Sequence, residues 1–390
     1  MKKISLLGAS GSIGRQTLDV CSWEKEQLHN EIEICAMTAN QDWRFLADAA
    51  RRFHPAVVAI GDAALAGELK DALSGLPIKV LDGPEGIAEA AAYEDAEMAV
   101  AAISGMAGLD PLLAAIKAGK KIALANKEAL VAAGEIVTAL AKQYQVELLP
   151  VDSEHSAIWQ CLRGEDSRSI ASLLLTASGG PFRDIPAERL AQVTPAEALA
   201  HPNWQMGPKI TVDSATMVNK GLEIIEAHWL FAMPYDKIKV LIHPESIIHS
   251  LVSFTDGSQK ALLSLPDMRL PIAYAVNEQE RPEAPVATLD LSSIGKLTFH
   301  QPDLSRFPAL SIIRSAGEMG GTAPAYLNGA NEFLVSAFLA DKISFTAIST
   351  ILDKLLAGYN NQEASELANV YAADSQGRHD AQRLILSGRF

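Results

Sequence analysis

The first 150 residues alternate short apolar runs with stretches of helical period, and this alternation constrains the fold more than any other feature. The apolar runs are Ile4-Leu7, Ile32-Met37, Val57-Ile60, Lys79-Leu81, Met98-Ala102, Ile122-Leu124 and Val146-Val151. Helical patterns cover Trp43-Phe53, Leu65-Leu73, Leu109-Ala118 and Ala129-Tyr144. Strands that alternate with helices predict a parallel sheet covered on both faces.

The loop Gly8-Ala9-Ser10-Gly11-Ser12-Ile13-Gly14 follows the first run and opens a helical stretch, Arg15 to Cys21. Glycines there allow a tight turn and close approach of backbone to a pyrophosphate, which then rests on a helix N-terminus. The spacing is GxxGxxG, and its place after the first strand predicts a dinucleotide site in a doubly wound, Rossmann-like sheet. The second run ends in Asn40-Gln41, with Asp42 further into the loop. An NAD site usually carries an acid at that strand end, so NADP is favoured. Ala125-Asn126-Lys127-Glu128 follows a later strand and belongs to the same ligand-binding edge.

From about residue 151 the pattern changes. Ile170-Thr176, Lys239-Ile242, Ile247-Phe254 and Lys260-Leu265 read as strands, and Asp256-Gly257 as a hairpin turn between the last two. This predicts an α+β domain. The segment 178–208, with Gly and Pro at both ends and Trp204 and Met206 near the second, reads as a hinged lid. Residues 281–308 are proline-rich and suit a linker. Ala309-Gly317, Ala330-Ala340, Phe345-Ala357 and Asp380-Leu386 predict a C-terminal α-helical domain. The expected division is therefore 1–151, 152–280, 281–308 and 309–390, in keeping with 390 residues.

The acidic residues carry the chemistry. If Val146-Val151 continues as a strand, Asp152 and Glu154 point the same way, with Ser153 between them. Asn219, Lys220 and Glu223 lie at helical spacing. Three carboxylates without a Cys/His cluster suit Mg²⁺ or Mn²⁺. Ser178, Ser214, Asn219 and Lys220 supply donors for a phosphate monoester, and His201 can donate to an anion.

A net charge of -14 argues against nucleic acid as a partner, because no basic excess exists to displace counterions. No apolar stretch approaches the roughly 20 residues of a membrane span. The N-terminus enters a strand at once, so a cytoplasmic location is expected. The three cysteines, Cys21, Cys35 and Cys161, show no metal-binding or disulfide spacing.

Two other functions remain open from the residues alone. A semialdehyde-type dehydrogenase would need Cys161 as nucleophile. A non-catalytic NADPH-binding regulator would have no use for the acid set.

Over essentially its whole length the chain resembles the 1-deoxy-D-xylulose 5-phosphate reductoisomerase family. The resemblance rests on the glycine loop, Ala123-Leu124-Ala125-Asn126-Lys127-Glu128, Pro150-Val151-Asp152-Ser153-Glu154-His155 and Ala177-Ser178-Gly179-Gly180-Pro181-Phe182. It continues through His201-Pro202-Asn203-Trp204, Val212-Asp213-Ser214-Ala215-Thr216-Met217, Asn219-Lys220-Gly221-Leu222-Glu223, Pro266-Asp267-Met268-Arg269 and Asn328-Gly329-Ala330-Asn331-Glu332.

The resemblance implies NADPH, a divalent metal (Mg²⁺ or Mn²⁺, with Co²⁺ also possible), a homodimer and a phosphorylated sugar substrate. It implies Asp152, Glu154 and Glu223 as metal ligands. It places Ser10, Gly11, Ser12, Ile13, Asn126, Glu128 and Gly207 at NADPH, with Asn40, Gln41 and Asp42 near the adenosine end. Lys127, Ser153, Glu154, Ser178, His201, Trp204, Ser214, Asn219, Lys220 and Glu223 fall at the substrate. The implied reaction is a skeletal rearrangement, read here as retro-aldol/aldol, followed by hydride transfer, with Lys127 stabilising oxyanion charge. These positions depart from the family pattern: Asp42 for Asn, Glu245 for Gln, Leu263 and Ser264 in place of a Gln-Leu-Gly-like stretch, Leu270 for Thr, and Pro208 in the lid hinge.

Overall fold

The computed structural model describes residues 2–29, 32–200, 204 and 206–388. The strands are β1 (Lys2–Leu7), β2 (Ile32–Ala39), β3 (Val57–Ile60), β4 (Lys79–Asp82), β5 (Met98–Ala101), β6 (Lys121–Leu124), β7 (Leu148–Pro150), β8 (Ile170–Ala177), β9 (Ile238–Ile242), β10 (Ile248–Phe254) and β11 (Gln259–Leu263). The helices are α1 (Ser12–Trp23), α2 (Trp43–Phe53), α3 (Ala66–Ala72), α4 (Gly83–Ala91), α5 (Leu109–Lys117), α6 (Lys127–Gln143), α7 (Ser153–Leu162), α8 (Ala187–Leu190), α9 (Pro195–Ala198), α10 (Pro208–Thr216), α11 (Val218–Phe231), α12 (Arg269–Val276), α13 (Leu291–Ile294), α14 (Ala309–Met319), α15 (Ala323–Leu339), α16 (Phe345–Ala357) and α17 (Leu367–Ser387).

The chain forms two compact units. The first comprises Met1–Ala129, Val137–Ser156 and Asp267–Ala287. Its sheet is wholly parallel, in the order β4-β3-β2-β1-β5-β6-β7, so the strand order reverses beside β1. Ile4, Leu6, Ile34, Met37, Val58, Val100 and Ile122 fill its interior and are buried. Near-continuous apolar strands are what a sheet covered on both faces requires. Helix α12 packs beside α1 although some 250 residues separate them. There the Asn277 amide donates to the buried Glu24 carboxylate at 2.5 Å.

The second unit comprises Leu130–Ile136, Ala157–Pro266 and Thr288–Phe390. Its four-stranded sheet has the order β11-β10-β8-β9, with β10 antiparallel to both neighbours and β8 parallel to β9. The Asp256-Gly257 turn joins β10 to β11 as expected. Gly257 has φ +90°, and the Ser258 amide donates to Asp256 Oδ1 at 2.8 Å. Helices α14 to α17 form the C-terminal helical part, centred on Phe338, Ile348 and Leu352.

The sequence pattern missed several local features. Helix α4, absent from the expected helices, opens on Gly83-Pro84-Glu85-Gly86. Proline in a first helical turn gives up an N–H that would have no partner anyway. Pro208, expected in a hinge, likewise starts α10. The run Val146-Val151 pairs as a strand only over Leu148–Pro150.

The glycine loop is fixed by contact as well as by turn geometry. Gly8 has φ +86°, and its amide donates to Thr38 Oγ1 at 2.9 Å. A Cβ on Gly14 would stand 2.2 Å from the Gly8 carbonyl oxygen and 2.6 Å from Ala9 Cα. Both are backbone atoms and cannot swing aside. Gly14→Ala is therefore expected to cost on the order of 2–3 kcal/mol of stability and to weaken nucleotide binding at least tenfold. Urea unfolding and a nucleotide titration would measure the two effects.

Candidate functional site

In the first unit the expected site residues gather at the carboxyl edge of the parallel sheet, where a doubly wound fold binds its ligands. Ser10, Gly11, Ser12 and Ile13 lie between β1 and the first turn of α1. Helix α1 has no side-chain N-cap and no acid in its first turn, so its N-terminal amides and positive dipole end suit an anion. The smooth Gly11 backbone and the tight Gly8–Gly14 packing together fit a pyrophosphate cradle. Asn40, Gln41 and Asp42 follow β2 and are exposed. Asp42 caps α2, accepting from the Phe45 amide at 3.1 Å.

Asn126 is the N-cap of α6. Its Oδ1 accepts from the Ala129 amide at 2.6 Å, while its amide nitrogen donates to the carbonyls of Ile103 and Gly105. That cross-brace fixes the backbone from which Lys127 and Glu128 project. Both are buried.

The extended geometry expected at Asp152-Ser153-Glu154 is not found. Asp152 is instead the last residue before α7, and its carbonyl accepts the first helical bond from the Ser156 amide at 2.8 Å. A short polar side chain at a strand end favours the N-cap over continued strand. Asp152 and Glu154 still meet, because cap and second helical residue are neighbours in the first turn. They offer carboxylate oxygens within 4.8 Å of each other.

Lys127 Nζ donates to Asp152 Oδ2 at 2.6 Å, and His155 Nδ1 lies 3.5 Å from Asp152 Oδ1. Burial alone would raise the Asp152 carboxyl, but the Lys127 ammonium and the His155 ring hold it well below the usual carboxylate range. Ser153 Oγ donates to Glu154 Oε2 at 2.5 Å. His155 was absent from the expected site residues; its signal was the i, i+3 spacing from Asp152, visible only once the segment is read as helix.

In the second unit, Glu223 lies on α11 and is 1% exposed. Lys220 Nζ donates to its Oε2 at 2.5 Å and Asn219 Nδ2 to its Oε1 at 2.6 Å. The helical spacing expected for this trio is realised. Asn219 Oδ1 is buried and has no hydrogen-bond partner among the described residues, so an acceptor is left for a ligand hydroxyl.

Ser178 directly follows β8, and the glycines after it let the loop press onto α10. A Cβ on Gly180 would lie 2.9 Å from both Ser214 O and Ala215 Cα. Ser178 and Ser214 are thereby brought to adjacent backbones. The chain then turns from α10 into α11 through Met217, whose φ is +65°. Asp213, next to Ser214, is buried and accepts from Asn331 of α15 at 2.8 Å and from Lys209 at 3.0 Å. The sequence reading had not singled out that anchor.

Trp204 is half-buried and meets His249 edge-on, with ring centroids 6.2 Å apart. Gly207 is the N-cap of α10. His201, expected at the substrate, lies outside the described residues. Glu245, one of the unusual positions, accepts from the Thr298 hydroxyl at 2.6 Å and the Thr298 amide at 3.2 Å, so its extra charge is used to pin a turn. Leu263 packs with Leu174, Ile248 and Leu251. Nothing in the structure explains Leu270.

The donor set is oxygen-rich and includes the Asp152 carboxylate, held ionised by its cationic neighbours, which fits a hard dication. The residues also exclude the thiol alternative. Cys161 on α7 is buried, and so are Cys21 on α1 and Cys35 on β2. Burial pushes the Cys35 thiol up to about 11 and the Cys21 thiol higher still. Iodoacetamide at neutral pH is expected to leave the activity of the native protein unchanged and to label all three cysteines only after unfolding, as read by mass spectrometry.

A family model described as 1-deoxy-D-xylulose 5-phosphate reductoisomerase matches residues 4–134, and the model for that enzyme's C-terminal domain matches residues 148–231. A third, DXP reductoisomerase C-terminal domain, matches residues 263–380. A relative from Heliobacterium modesticaldum, named 1-deoxy-D-xylulose 5-phosphate reductoisomerase, is 48% identical over 391 residues, which is 100% of this chain and 99% of its own. The solved structure of the Zymomonas mobilis reductoisomerase in complex with NADPH aligns with a TM-score of 0.92 at 42% identity, covering 99% of each chain. A reductoisomerase structure with NADPH, fosmidomycin and magnesium aligns with a TM-score of 0.93 at 40% identity, covering 99% of this chain and 98% of its own.

Proposed function

The chain belongs to the 1-deoxy-D-xylulose 5-phosphate reductoisomerase family, and we propose that Asp152, Glu154 and Glu223 hold its divalent cation while Ser178, Ser214, Asn219 and Lys220 hold the phosphate of its substrate. The activity is the NADPH- and divalent-metal-dependent rearrangement and reduction of 1-deoxy-D-xylulose 5-phosphate to 2-C-methyl-D-erythritol 4-phosphate, in non-mevalonate isoprenoid biosynthesis. The observation that carries the assignment is the full-length match to relatives solved with NADPH and magnesium.

When bound, NADPH supplies a hydride and the cation an electrophile that polarises the substrate's ketone. The chain's own residues do the rest. Lys127, held against Asp152 at 2.6 Å, keeps an ammonium fixed where oxyanion charge develops during a retro-aldol/aldol rearrangement. Ser153 and Glu154, hydrogen-bonded to each other, orient the substrate's hydroxyls. The phosphate is not a reacting group, so the binding energy of its donors goes into orientation and into closure of the 178–208 segment. Asn126 and Glu128 line the nicotinamide end, Asn40 and Gln41 the adenosine end, and Gly207 the nucleotide side of the lid.

Residues 1–151 are assigned to nucleotide binding, 152–280 to chemistry and dimer contact, 281–308 to a linker and 309–390 to the helical domain. No helix among the described residues is long and apolar enough to cross a membrane. A homodimer acting in the cytoplasm completes the reading.

The deciding experiment is a coupled assay. NADPH oxidation must require the sugar phosphate, vanish with EDTA and return with added Mg²⁺. Oxidation that persists in EDTA overturns the metal assignment. Within this reading Trp204→Ala is expected to raise the substrate KM about tenfold with a smaller change in kcat, since it removes an apolar cover and no reacting group. Steady-state kinetics that match the parent would dismiss Trp204 as part of the lid.

A further inference from the structure

Asp42 poses a problem for an NADPH enzyme. A carboxylate at the end of β2 is the feature that selects NAD, because it accepts from the ribose hydroxyls and repels a 2′-phosphate, and Asp42 stands only three residues past that end. The structure shows how this acid is occupied. Its Oδ1 caps α2 through the Phe45 amide at 3.1 Å, and its Oδ2 takes a hydrogen bond from Arg15 at 3.3 Å.

Arg15 sits in the first turn of α1 and reaches from the pyrophosphate loop to the β2–α2 loop. Its Nε donates to the Ser10 carbonyl at 2.8 Å, and its guanidinium lies over the Phe45 ring, 3.8 Å from the centroid. Contacts from Ser10, Asp42 and Phe45 therefore fix the guanidinium, yet half of the side chain (51%) is exposed. An exposed ion pair of this kind adds at most about 1 kcal/mol to stability, so the fold gains little from it. A fixed, half-exposed guanidinium is instead the group best suited to a phosphate, which it can meet with two parallel donors.

The other charges on this edge are already engaged. Asp62 caps the turn that follows β3, through the Ala64 amide at 3.1 Å, and accepts from Gln41 at 3.4 Å. Arg44 lies over Trp43 of its own helix, 4.7 Å from the ring centroid. With Arg15 present the two acids face two cations; without it the edge is net negative.

We propose that Arg15 is the specificity-determining residue for the 2′-phosphate of NADPH, and that Asp42 acts as the carboxylate that holds Arg15 in position rather than as a ribose ligand. The inference rests on the NADPH reading above. Arg15 is not among the residues that the family resemblance assigns to the cofactor.

The test is a set of binding titrations, followed by nucleotide fluorescence, on the parent, Arg15→Gln, Arg15→Lys and Asp42→Asn. Arg15→Gln is expected to weaken NADPH at least 20-fold while changing NADH less than threefold. The same contrast should appear between 2′,5′-ADP and 5′-AMP as competitors. Arg15→Lys keeps the charge without the planar fork and should fall between the two. Asp42→Asn retains the helix cap but loses the carboxylate that positions Arg15, so NADPH should bind about threefold more weakly with NADH unchanged, and tighter NADPH binding would overturn the positioning role. The NADPH dissociation constant should rise more steeply with salt in the parent than in Arg15→Gln.

Equal weakening of NADPH and NADH by Arg15→Gln, with normal thermal unfolding, would overturn the proposal and leave Arg15 as a brace for α2. No weakening of either nucleotide would overturn it too. A parent protein that binds NADH as tightly as NADPH would instead refute the cofactor reading, and the two failures are thus separable.

Discussion

Glu223→Gln is expected to lower kcat by about 10³-fold while the fold survives. The carboxylate is 1% exposed and receives donors from Lys220 and Asn219, so its position is set by α11 itself. An amide of the same shape keeps the packing but loses the negative charge. A dication then binds more weakly, and the Lys220 ammonium loses its counter-ion inside the protein. Removing one partner of a buried pair costs on the order of 3 kcal/mol. The melting temperature should therefore fall by several degrees while the far-ultraviolet circular dichroism stays native. Steady-state kinetics across a Mg²⁺ series are the measurement. Parent-like turnover at saturating Mg²⁺ would remove Glu223 from the ligand set.

Lys127→Met is expected to cut kcat by about 10²–10³-fold with little change in overall structure. Methionine fills nearly the same space, so the loss is electrostatic. Two effects should appear together. The oxyanion loses its fixed cation, and Asp152 loses the ammonium that keeps its carboxyl low.

The second effect has a pH signature. A carboxyl held below its unfolded value adds stability that is present above the unfolded pKa, about 4, and is lost as the pH falls through the lower folded value. Lys127→Met removes that contribution. The metal-free variant should therefore be less stable than the parent at pH 7, and the gap should close in strongly acidic solution. Urea unfolding at pH 7 and at pH 2.5 tests this. A constant gap across that range would show that Lys127 does not depress the Asp152 carboxyl.

The site was legible to the extent that its residues lie close together in sequence. Asn219, Lys220 and Glu223 repeat at helical spacing, and α11 makes them neighbours through local geometry alone. Gly8, Gly11 and Gly14 were readable because a strand followed by glycines has few other uses. The error at Asp152-Ser153-Glu154 came from extending a strand past Pro150. Period two and the helix N-cap place the two acids on one side equally well, so the conclusion survived although its geometric reason did not.

By itself the sequence determined the alternation of strands and helices, the parallel sheet and the glycine turn after β1, because these follow from periodicity and from runs of a few residues. Only the tertiary structure decided how Asp42 is occupied, which chain segment braces Asp213, and why Gly180 admits no side chain. Those outcomes depend on atoms from segments 27 to 118 residues apart, as in Arg15–Asp42 and Asp213–Asn331. Such pairs form only after the chain has collapsed around its core, and no local pattern encodes them.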